Sequence, residues 1–214
     1  MRQLLVLAKE PRPGFAKTRL AASTGPEFAG ALYRAFLADT AALLRGRPGV
    51  RWWVDGDPEP LLALIGTGWE VRRQGPGNLG LRLEHAFAEA FGRGPGPVAV
   101  IGADCPLLSP GDLDALFEAV EERADAALVP ADDGGYVALA LRGLYPEVFQ
   151  GIPWSTPRVL DATLASLRGA GRTAEVLPAR YDVDEEGDLV RLAADLRKTP
   201  WAAPATARAL GVAP

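Results

Sequence analysis

The sequence has very little of two residue types that often build reactive or metal sites. It holds one cysteine and one histidine in 214 residues. A single cysteine excludes an internal disulfide bond and favours a reducing compartment, and a single histidine argues against a zinc site built on histidines. We therefore expect Cys105 to be a small packing residue and His85 to be exposed to solvent.

The chain also lacks long apolar runs and an excess of positive charge. No stretch approaches the roughly twenty apolar residues that a membrane span needs, and the apolar run after Gln3 is too short for a signal peptide. The net charge of −4 argues against a nucleic-acid-binding surface. These absences predict a cytoplasmic protein that binds small molecules, with neither a nucleic-acid partner nor a membrane span, and they leave a homo-oligomer open.

The sequence does contain an alternation of strand and helix patterns. Short segments at 4–8, 50–54, 69–73 and 98–102 are predicted to be strands, and the first and last of them are almost wholly apolar. Helical spacing follows each of the four. The run at 98–102 is the most apolar and is predicted to be central. We expect a single α/β domain over 1–214 with a mostly parallel sheet, and a C-terminal tail from about residue 198.

Helical spacing also predicts which side chains are buried. The helix at 27–44 is predicted to bury Phe28, and the helix that begins at Leu79 is predicted to bury Leu79. A later helix, at 157–167, has Thr156 as its predicted cap.

A loop rich in basic residues follows the first strand. Lys9, Gly14, Lys17 and Arg19 lie in it, and two prolines and the glycine hold it open. Ligands of open α/β sheets bind at the carboxyl ends of strands, and fixed positive charge with free backbone N–H groups makes a phosphate site there.

Two other interpretations of this loop remain open. It is also what a solvated surface loop looks like, since basic side chains are mostly exposed. An ATP-binding Walker loop is the second alternative, because Lys17 and Thr18 match its end. However, Ala16 and Pro11 stand where that loop requires glycines.

Aspartates at two distant points of the chain are candidate metal ligands. Asp104 directly follows the predicted central strand, and Asp182 and Asp184 follow the last one. Carboxylates near phosphate suit Mg²⁺, which takes oxygen ligands. Asp104 is equally consistent with a turn residue, and the later acids with helix capping, which Asp188 fits best. Asp182 and Asp184 share one face of an extended segment, and we favour Asp184 as the second ligand.

Three further segments carry residues that suit a substrate site. Asn78 and Arg82 begin a predicted helix and can reach the same crevice. The remaining candidates are of four kinds: an acid, two aromatic side chains, two hydroxyls, and two turn glycines, which let the backbone come close to a ligand. They are Asp133, Gly134, Gly135, Tyr136, Trp154, Ser155 and Thr156. A plain hairpin turn and a buried aromatic beside a helix cap are the alternatives for these two groups.

Taken in order, these segments resemble a family of short bacterial proteins described as glycosyltransferase-A-like, within the nucleotide-diphospho-sugar transferase superfamily. The resemblance covers residues 1 to about 190. The matching motifs are Lys9…Pro13-Gly14…Lys17-Thr18-Arg19-Leu20, Gly77-Asn78-Leu79-Gly80-x-Arg82-Leu83, Gly102-Ala103-Asp104-Cys105-Pro106, Asp133-Gly134-Gly135-Tyr136, Ile152-Pro153-Trp154-Ser155-Thr156 and Asp182-Val183-Asp184.

The resemblance implies a Rossmann-like three-layer α/β/α sandwich that binds a nucleotide over its first half. It further implies that Lys17 and Arg19 bind phosphates and that Asp104 and Asp184 hold Mg²⁺ or Mn²⁺. The basic loop also resembles that of guanylyltransferases acting on phospholactate. The sequence departs from sugar nucleotidyltransferases in lacking their Gly-x-Gly-x-Arg loop.

The function predicted from these features is that of a Mg²⁺-dependent transferase that uses a nucleotide-sugar and an unknown acceptor, with Asp133 as the acceptor's base. One alternative is nucleotidyl transfer from a nucleoside triphosphate to a phosphorylated small molecule, with release of pyrophosphate. The other alternative is a nucleotide-binding module without catalysis.

Overall fold

Seven strands and eight α-helices alternate along residues 1–212, the part of the chain that the computed structural model describes. The strands are Gln3–Lys9 (β1), Val50–Asp55 (β2), Glu70–Arg73 (β3), Val98–Gly102 (β4), Ala126–Pro130 (β5), Tyr136–Leu141 (β6) and Ala174–Val176 (β7). The helices are Thr18–Thr24 (α1), Pro26–Leu44 (α2), Glu59–Ile65 (α3), Leu79–Gly92 (α4), Pro110–Glu122 (α5), Val159–Gly169 (α6), Glu186–Lys198 (α7) and Pro204–Ala209 (α8).

All seven strands form one sheet, in the order β3-β2-β1-β4-β6-β5-β7. β6 is antiparallel to both of its neighbours, and the other neighbouring pairs are parallel. β4 lies in the middle of the sheet, as predicted. β1 lies between β2 and β4. After β1 the chain adds β2 and β3 on one side of it, and then crosses over to add β4 on the other side. This switch point is where open α/β sheets form a ligand crevice.

Alternate residues of β1 face two separate hydrophobic cores, which the two helical layers close. Leu4 and Val6 pack into the core covered mainly by α2 and α5, whereas Leu5 packs into the core covered by α4 and α6. Phe36 on α2 and Phe87 on α4 are fully buried. Truncating such a phenylalanine to alanine typically costs about 3–5 kcal/mol. The three-layer α/β/α fold predicted from the sequence is therefore confirmed.

Four local predictions are wrong. Phe28 is 38% exposed and Leu79 is 40% exposed, because each lies in the first turn of its helix, beyond the edge of the sheet that the later turns cover. Helix α6 begins at Val159, two residues later than predicted. The hydroxyl of Thr156 donates a hydrogen bond to the carbonyl oxygen of Pro153 and is not the N-cap.

The segment predicted as a tail folds back onto α2 through a buried carboxylate. Asp39 accepts hydrogen bonds from the N–H groups of Ala205 and Thr206, both at 2.8 Å, and from the Thr206 hydroxyl at 2.6 Å. Asp39 thus satisfies the free N–H groups at the start of α8, as N-terminal helix caps do. None of the helices described between residues 1 and 212 is both long and apolar enough to cross a bilayer.

Candidate functional site

A cavity of about 600 Å³ opens at the edge of the sheet where β1, β2 and β4 end. Because β6 runs in the opposite direction, its first residue, Tyr136, lies at this same edge. The walls include the end of β1 at Ala8 and Lys9 and the end of β4 from Val100 to Asp104. The cavity therefore occupies the crevice expected at the switch point.

Three carboxylates converge at one end of the cavity. Asp104, Asp182 and Asp184 each place an oxygen so that all three oxygens lie within 4.8 Å of one another. The N–H of Val183 donates a hydrogen bond to the carbonyl oxygen of Asp104 at 3.1 Å, which fixes the late segment against the end of β4. Val183 is fully buried, so the side chains of its two neighbours point together toward the cavity, as alternation along an extended segment requires.

Lys17 lies against this cluster and is almost wholly buried. Its Nζ atom is 2.6 Å from Asp184 and 3.2 Å from Asp104, and only 5% of its side chain is exposed. The backbone of Lys17 is left-handed, with a φ of 52°, because the chain turns sharply into α1 at this residue. Such a conformation costs a lysine energy, and residues of this kind cluster at functional sites.

The close packing of like charges perturbs the acids unequally. Burial raises the pKa of Asp182 to about 6, and the carboxylates of Asp104 and Asp184 add to the increase. Burial alone would also raise the pKa of Asp184, but the Lys17 ammonium outweighs it, so the pKa is lowered. For Lys17 itself burial acts to lower the pKa, and the two carboxylates reverse that effect and raise it. Such opposed shifts within one cavity are typical of functional sites.

The cluster fits a divalent cation by its charge and its donor atoms. Three carboxylates carry −3 and Lys17 carries +1, which sums to −2 when all are ionised. Carboxylate oxygens are the ligands that Mg²⁺ and Mn²⁺ prefer, and Mg²⁺ is usually held by one or two carboxylates together with substrate phosphates and water. Asp104, Asp182 and Asp184 can therefore hold such an ion beside an anionic ligand.

A polar wall lies on the β2 side of the cavity. Arg82 from α4 forms an ion pair with Asp55 at 2.9 Å and donates a hydrogen bond to the carbonyl oxygen of Gly77. The buried Gln74 side chain accepts a bond from Arg82 at 3.3 Å and donates bonds to the carbonyl oxygens of Ala8 and Trp53. Arg82 is thus held in place by the backbone of β1 and β2 through Gln74.

The opposite wall, on the β6 side, is largely apolar. Leu83, Tyr136, Trp154 and Val159 are among the residues that line it. Trp154 lies directly against Gly80, where a Cβ atom would collide with the indole nitrogen and with the carbonyl oxygen of Phe149. A glycine in the first turn of α4 is therefore required for Trp154 to form this wall.

Ser155 lines the same side and has a φ of 62°. Within residues 1–212, Ser155 and Lys17 are the non-glycine residues with a positive φ. Both line this cavity, one on each side, so the two strained backbone positions border the same space.

Most of the predicted site residues line the cavity, but several do not. The cavity walls include the following predicted residues: Lys9, Lys17, Arg82, Asp104, Tyr136, Trp154, Ser155, Asp182 and Asp184. The following predicted residues lie outside them: Gly14, Arg19, Asn78, Asp133, Gly134, Gly135 and Thr156. Arg19 is 65% exposed and lies 3.8 Å from Asp184, at the rim. Asn78 caps α4 by accepting a hydrogen bond from the N–H of Leu81.

The turn between β5 and β6 has a structural explanation. Asp133 is exposed and accepts a hydrogen bond from the N–H of Gly135 at 2.8 Å, as in an ordinary aspartate turn. Gly134 has a φ of 87°, and a Cβ atom there would collide with the backbone of Pro157. These residues position the segment that precedes α6.

The two residues predicted to lie outside the chemistry behave as expected. His85 is exposed on α4, with its ring edge-on to Trp53. Cys105 is buried, and its burial, with the Asp104 carboxylate beside it, raises the pKa of the thiol to about 12. A thiol in that state is not a nucleophile near neutral pH.

Three polar residues of the cavity walls, within the described part of the chain, were not predicted from the sequence. They are Tyr33, whose hydroxyl accepts a hydrogen bond from the N–H of Lys9 at 2.8 Å, and the polar-wall residues Asp55 and Gln74. Asp55 is the last residue of β2, and Asp104 lies two residues after the end of β4. This shared position at the carboxyl end of a strand was the signal that could have identified Asp55.

Two curated relatives are phosphoenolpyruvate guanylyltransferases. The one from Rubrobacter xylanophilus is 34% identical over 187 residues, which span 84% of this chain and 88% of the relative. The one from Streptomyces avermitilis is 35% identical over 202 residues, which span 91% and 90%. The relatives confirm the transferase class, and they favour nucleotidyl transfer over the nucleotide-sugar reaction that the sequence analysis put first.

Solved structures agree on the fold. A protein from Desulfovibrio desulfuricans G20, provisionally described as a nucleotide-diphospho-sugar transferase, superimposes with a TM-score of 0.89 at 30% identity, over 99% of this chain and 93% of that chain. The 4-diphosphocytidyl-2C-methyl-D-erythritol synthase of Anaerococcus prevotii gives a TM-score of 0.59 at 13% identity, over 92% and 99%, which bears on the fold alone. The predicted superfamily is confirmed.

A family model described as "Uncharacterized protein conserved in bacteria (DUF2064)" matches residues 37–156. This range is more than half of the chain, and it runs from the middle of α2 to the end of the segment that carries Trp154. The chain therefore belongs to the DUF2064 family.

Proposed function

We propose that the protein is a metal-dependent nucleotidyltransferase that joins the nucleoside monophosphate part of a nucleoside triphosphate to the phosphate of a small acceptor. The observation that carries this proposal is the buried Lys17 between Asp104 and Asp184 at one end of the cavity. A guanine nucleotide is the donor to test first, because both curated relatives are guanylyltransferases.

In this reaction a phosphate oxygen of the acceptor attacks the α-phosphorus of the donor. The bond between the α-phosphorus and its bridging oxygen to the β-phosphate breaks, and pyrophosphate leaves with the electron pair. A Mg²⁺ or Mn²⁺ ion held by the aspartate cluster would supply charge neutralisation on the phosphate oxygens. Lys17 and Lys9 bind and orient the phosphate groups, and their positive charge stabilises the negative charge that develops.

An acceptor phosphate is already ionised near neutral pH, so this reaction needs no general base. Asp133, the base predicted for glycosyl transfer, is exposed, is used in a turn and lies outside the cavity walls. The absence of an acid or a histidine on the apolar side of the cavity, among the residues described, is consistent with a reaction that removes no proton from the acceptor.

The apolar wall is suited to the body of the acceptor. Trp154, Tyr136 and Leu83 offer surface to a carbon skeleton, whereas the acceptor's phosphate would lie toward Lys17. Nucleotide and acceptor would thus approach the aspartate cluster from opposite sides of one cavity, which places their reacting phosphates next to each other.

The test is a release assay for pyrophosphate. The protein is incubated with Mg²⁺, each of the four common nucleoside triphosphates, and phosphoenolpyruvate or phospholactate as acceptor. We expect pyrophosphate only when an acceptor is present, and loss of at least a hundredfold in rate on Asp104→Asn. Asp57→Asn is the matched control, because Asp57 is exposed, pairs with Arg73 and lies outside the cavity walls.

Two other outcomes would replace this proposal. The first is glycosyl transfer, which would appear as nucleoside diphosphate released from a nucleotide-sugar. The second is metal-dependent nucleotide binding with no product from any acceptor, which would indicate a binding module.

A further inference from the structure

The polar wall contains a carboxylate, Asp55, whose hydrogen-bonding capacity the protein uses only in part. Asp55 forms an ion pair with Arg82 through Oδ2 at 2.9 Å, and among the contacts of residues 1–212 its Oδ1 atom has no partner. About a third of the side chain is exposed, and it lines the cavity. Oδ1 is therefore free to accept from a ligand, and Oδ2 keeps a second lone pair beside its contact with Arg82, so the carboxylate can accept from adjacent N–H donors.

Asp55 is not required to hold Arg82 in place. Arg82 is already anchored by the carbonyl oxygen of Gly77 at 3.0 Å and by Gln74 at 3.3 Å. Gln74 is only 7% exposed and is itself bound to the backbone of two strands. In the described contacts no acceptor is bound to the Nη2 group of Arg82. The pair therefore presents both a free acceptor and a free donor.

The distance from Asp55 to the aspartate cluster suits a nucleotide. Asp55 ends β2 and pairs in register with Lys9 of β1, while Asp104 follows β4 on the other side of β1. Two strand spacings separate β2 from β4, which is about 10 Å. A gap of this size is one that a nucleoside monophosphate can span between its phosphate and its base.

Guanine is the base whose edge complements this pair. Its N1–H and 2-amino groups are adjacent donors that one carboxylate can accept together, and its O6 atom accepts from arginine. Adenine and cytosine present a lone pair at the corresponding ring nitrogen, which a carboxylate repels. Uracil offers a single N–H between two carbonyl oxygens.

We propose that Asp55 is the residue that selects a guanine nucleotide, by accepting hydrogen bonds from N1 and the 2-amino group while Arg82 donates to O6. This inference rests on the proposed function, because it takes the phosphates to lie at Lys17 and the aspartate cluster. It assigns Asp55 a direct contact with the base.

The experiment measures nucleotide binding by titration calorimetry in Mg²⁺ with GTP, ITP, XTP and ATP. For the unchanged protein we expect ITP, which lacks the 2-amino group, to bind about tenfold more weakly than GTP. In Asp55→Asn, the amide donates to the C2 carbonyl of xanthine and no longer accepts two donors from guanine. The ratio of GTP to XTP affinity should therefore fall by about a hundredfold or more, in favour of XTP.

Asp57→Asn, two residues further along the same loop, is the control and should keep the selectivity of the unchanged protein. Equal affinity of the unchanged protein for GTP and ITP would overturn the assignment without any variant, as would an unaltered ratio of GTP to XTP in a folded Asp55→Asn. In either case nucleotidyl transfer stands if pyrophosphate is still released. If the unchanged protein binds no nucleoside triphosphate in Mg²⁺, the proposed function and this inference both fail.

Discussion

If the aspartate cluster holds a divalent ion as proposed, replacing Lys17 with methionine should strengthen metal binding in the absence of a nucleotide, because the ion would compete with the Lys17 ammonium for the same carboxylates. Nζ lies within 3.2 Å of both Asp104 and Asp184. Methionine keeps most of the length and burial of the lysine side chain and removes only its charge. The substitution therefore separates electrostatic competition from packing.

The size of the effect follows from the geometry of the cluster. Unit charges about 4 Å apart interact by about 4 kcal/mol at an effective dielectric constant of about 20. The side chains of Asp104 and Asp184 are 38% and 32% exposed, so solvent screening reduces this energy. A remaining effect of about 1–2 kcal/mol corresponds to a roughly five- to thirtyfold gain in Mn²⁺ affinity.

Two measurements on Lys17→Met check the reasoning. Free Mn²⁺ followed by electron paramagnetic resonance, without nucleotide, should show the gain in affinity, while the rate of pyrophosphate release should fall about a hundredfold or more because the phosphates lose a buried cation. Without metal the melting temperature should also fall, since three carboxylates are left without Lys17, and added Mn²⁺ should restore it.

Lys198→Met serves as the control, since Lys198 is 76% exposed on α7 and is paired only with Asp195 at 3.9 Å. It should change neither Mn²⁺ affinity nor rate. Weaker or unchanged Mn²⁺ binding in Lys17→Met, combined with a normal rate, would refute both the competition and the assignment of the phosphate site.

Three other substitutions test separate parts of the structure. Gly80→Ala should raise the acceptor KM about tenfold without changing nucleotide affinity, because its Cβ would displace Trp154; the kinetics of both substrates check this. Asp39→Ala should lower the free energy of unfolding in urea by about 2–4 kcal/mol, since three donors at α8 lose their acceptor, while the activity of the folded protein is kept. The backbone N–H of Thr173 holds the pKa of Asp125 below its usual 3.8. The Asp125 carboxylate therefore stabilises the fold above about pH 4, and this stabilisation is lost as the pH falls further. The free energy of unfolding of Asp125→Asn should thus decrease less steeply between about pH 5 and 3 than that of the unchanged protein. Identical acid unfolding curves for the two proteins would contradict this.

The convergence of Lys17, Asp104 and Asp184 was predictable because each follows a strand. Parallel strands bring their carboxyl ends to one edge of a sheet, so residues far apart in the chain meet there without any local pattern between them. Tyr136 and Trp154 were predicted from a different signal, a glycine-rich turn and an aromatic segment, and Tyr136 lies at this edge because it begins the antiparallel strand β6. Charge type and strand order were therefore sufficient for the aspartate cluster.

The polar wall was not predictable in the same way. Gln74 and Tyr33 are single polar residues in otherwise ordinary segments, and their roles arise only from how the strand ends and α2 pack around the cavity. Conversely, the sequence suggested a ligand-binding role for Asp133 and Gly134, whereas in the structure these residues form a tight turn. Residue order does not distinguish these two uses of a glycine-rich segment.

The hydrogen bond from Val183 to Asp104 joins residues from the middle and the end of the chain. Because Asp182 and Asp184 arrive only after every strand of the sheet, a nascent polypeptide still on the ribosome can complete β1 to β6 and have only one of the three carboxylates in place. The three-carboxylate cluster is consequently completed only late in synthesis, after every strand of the sheet has been made.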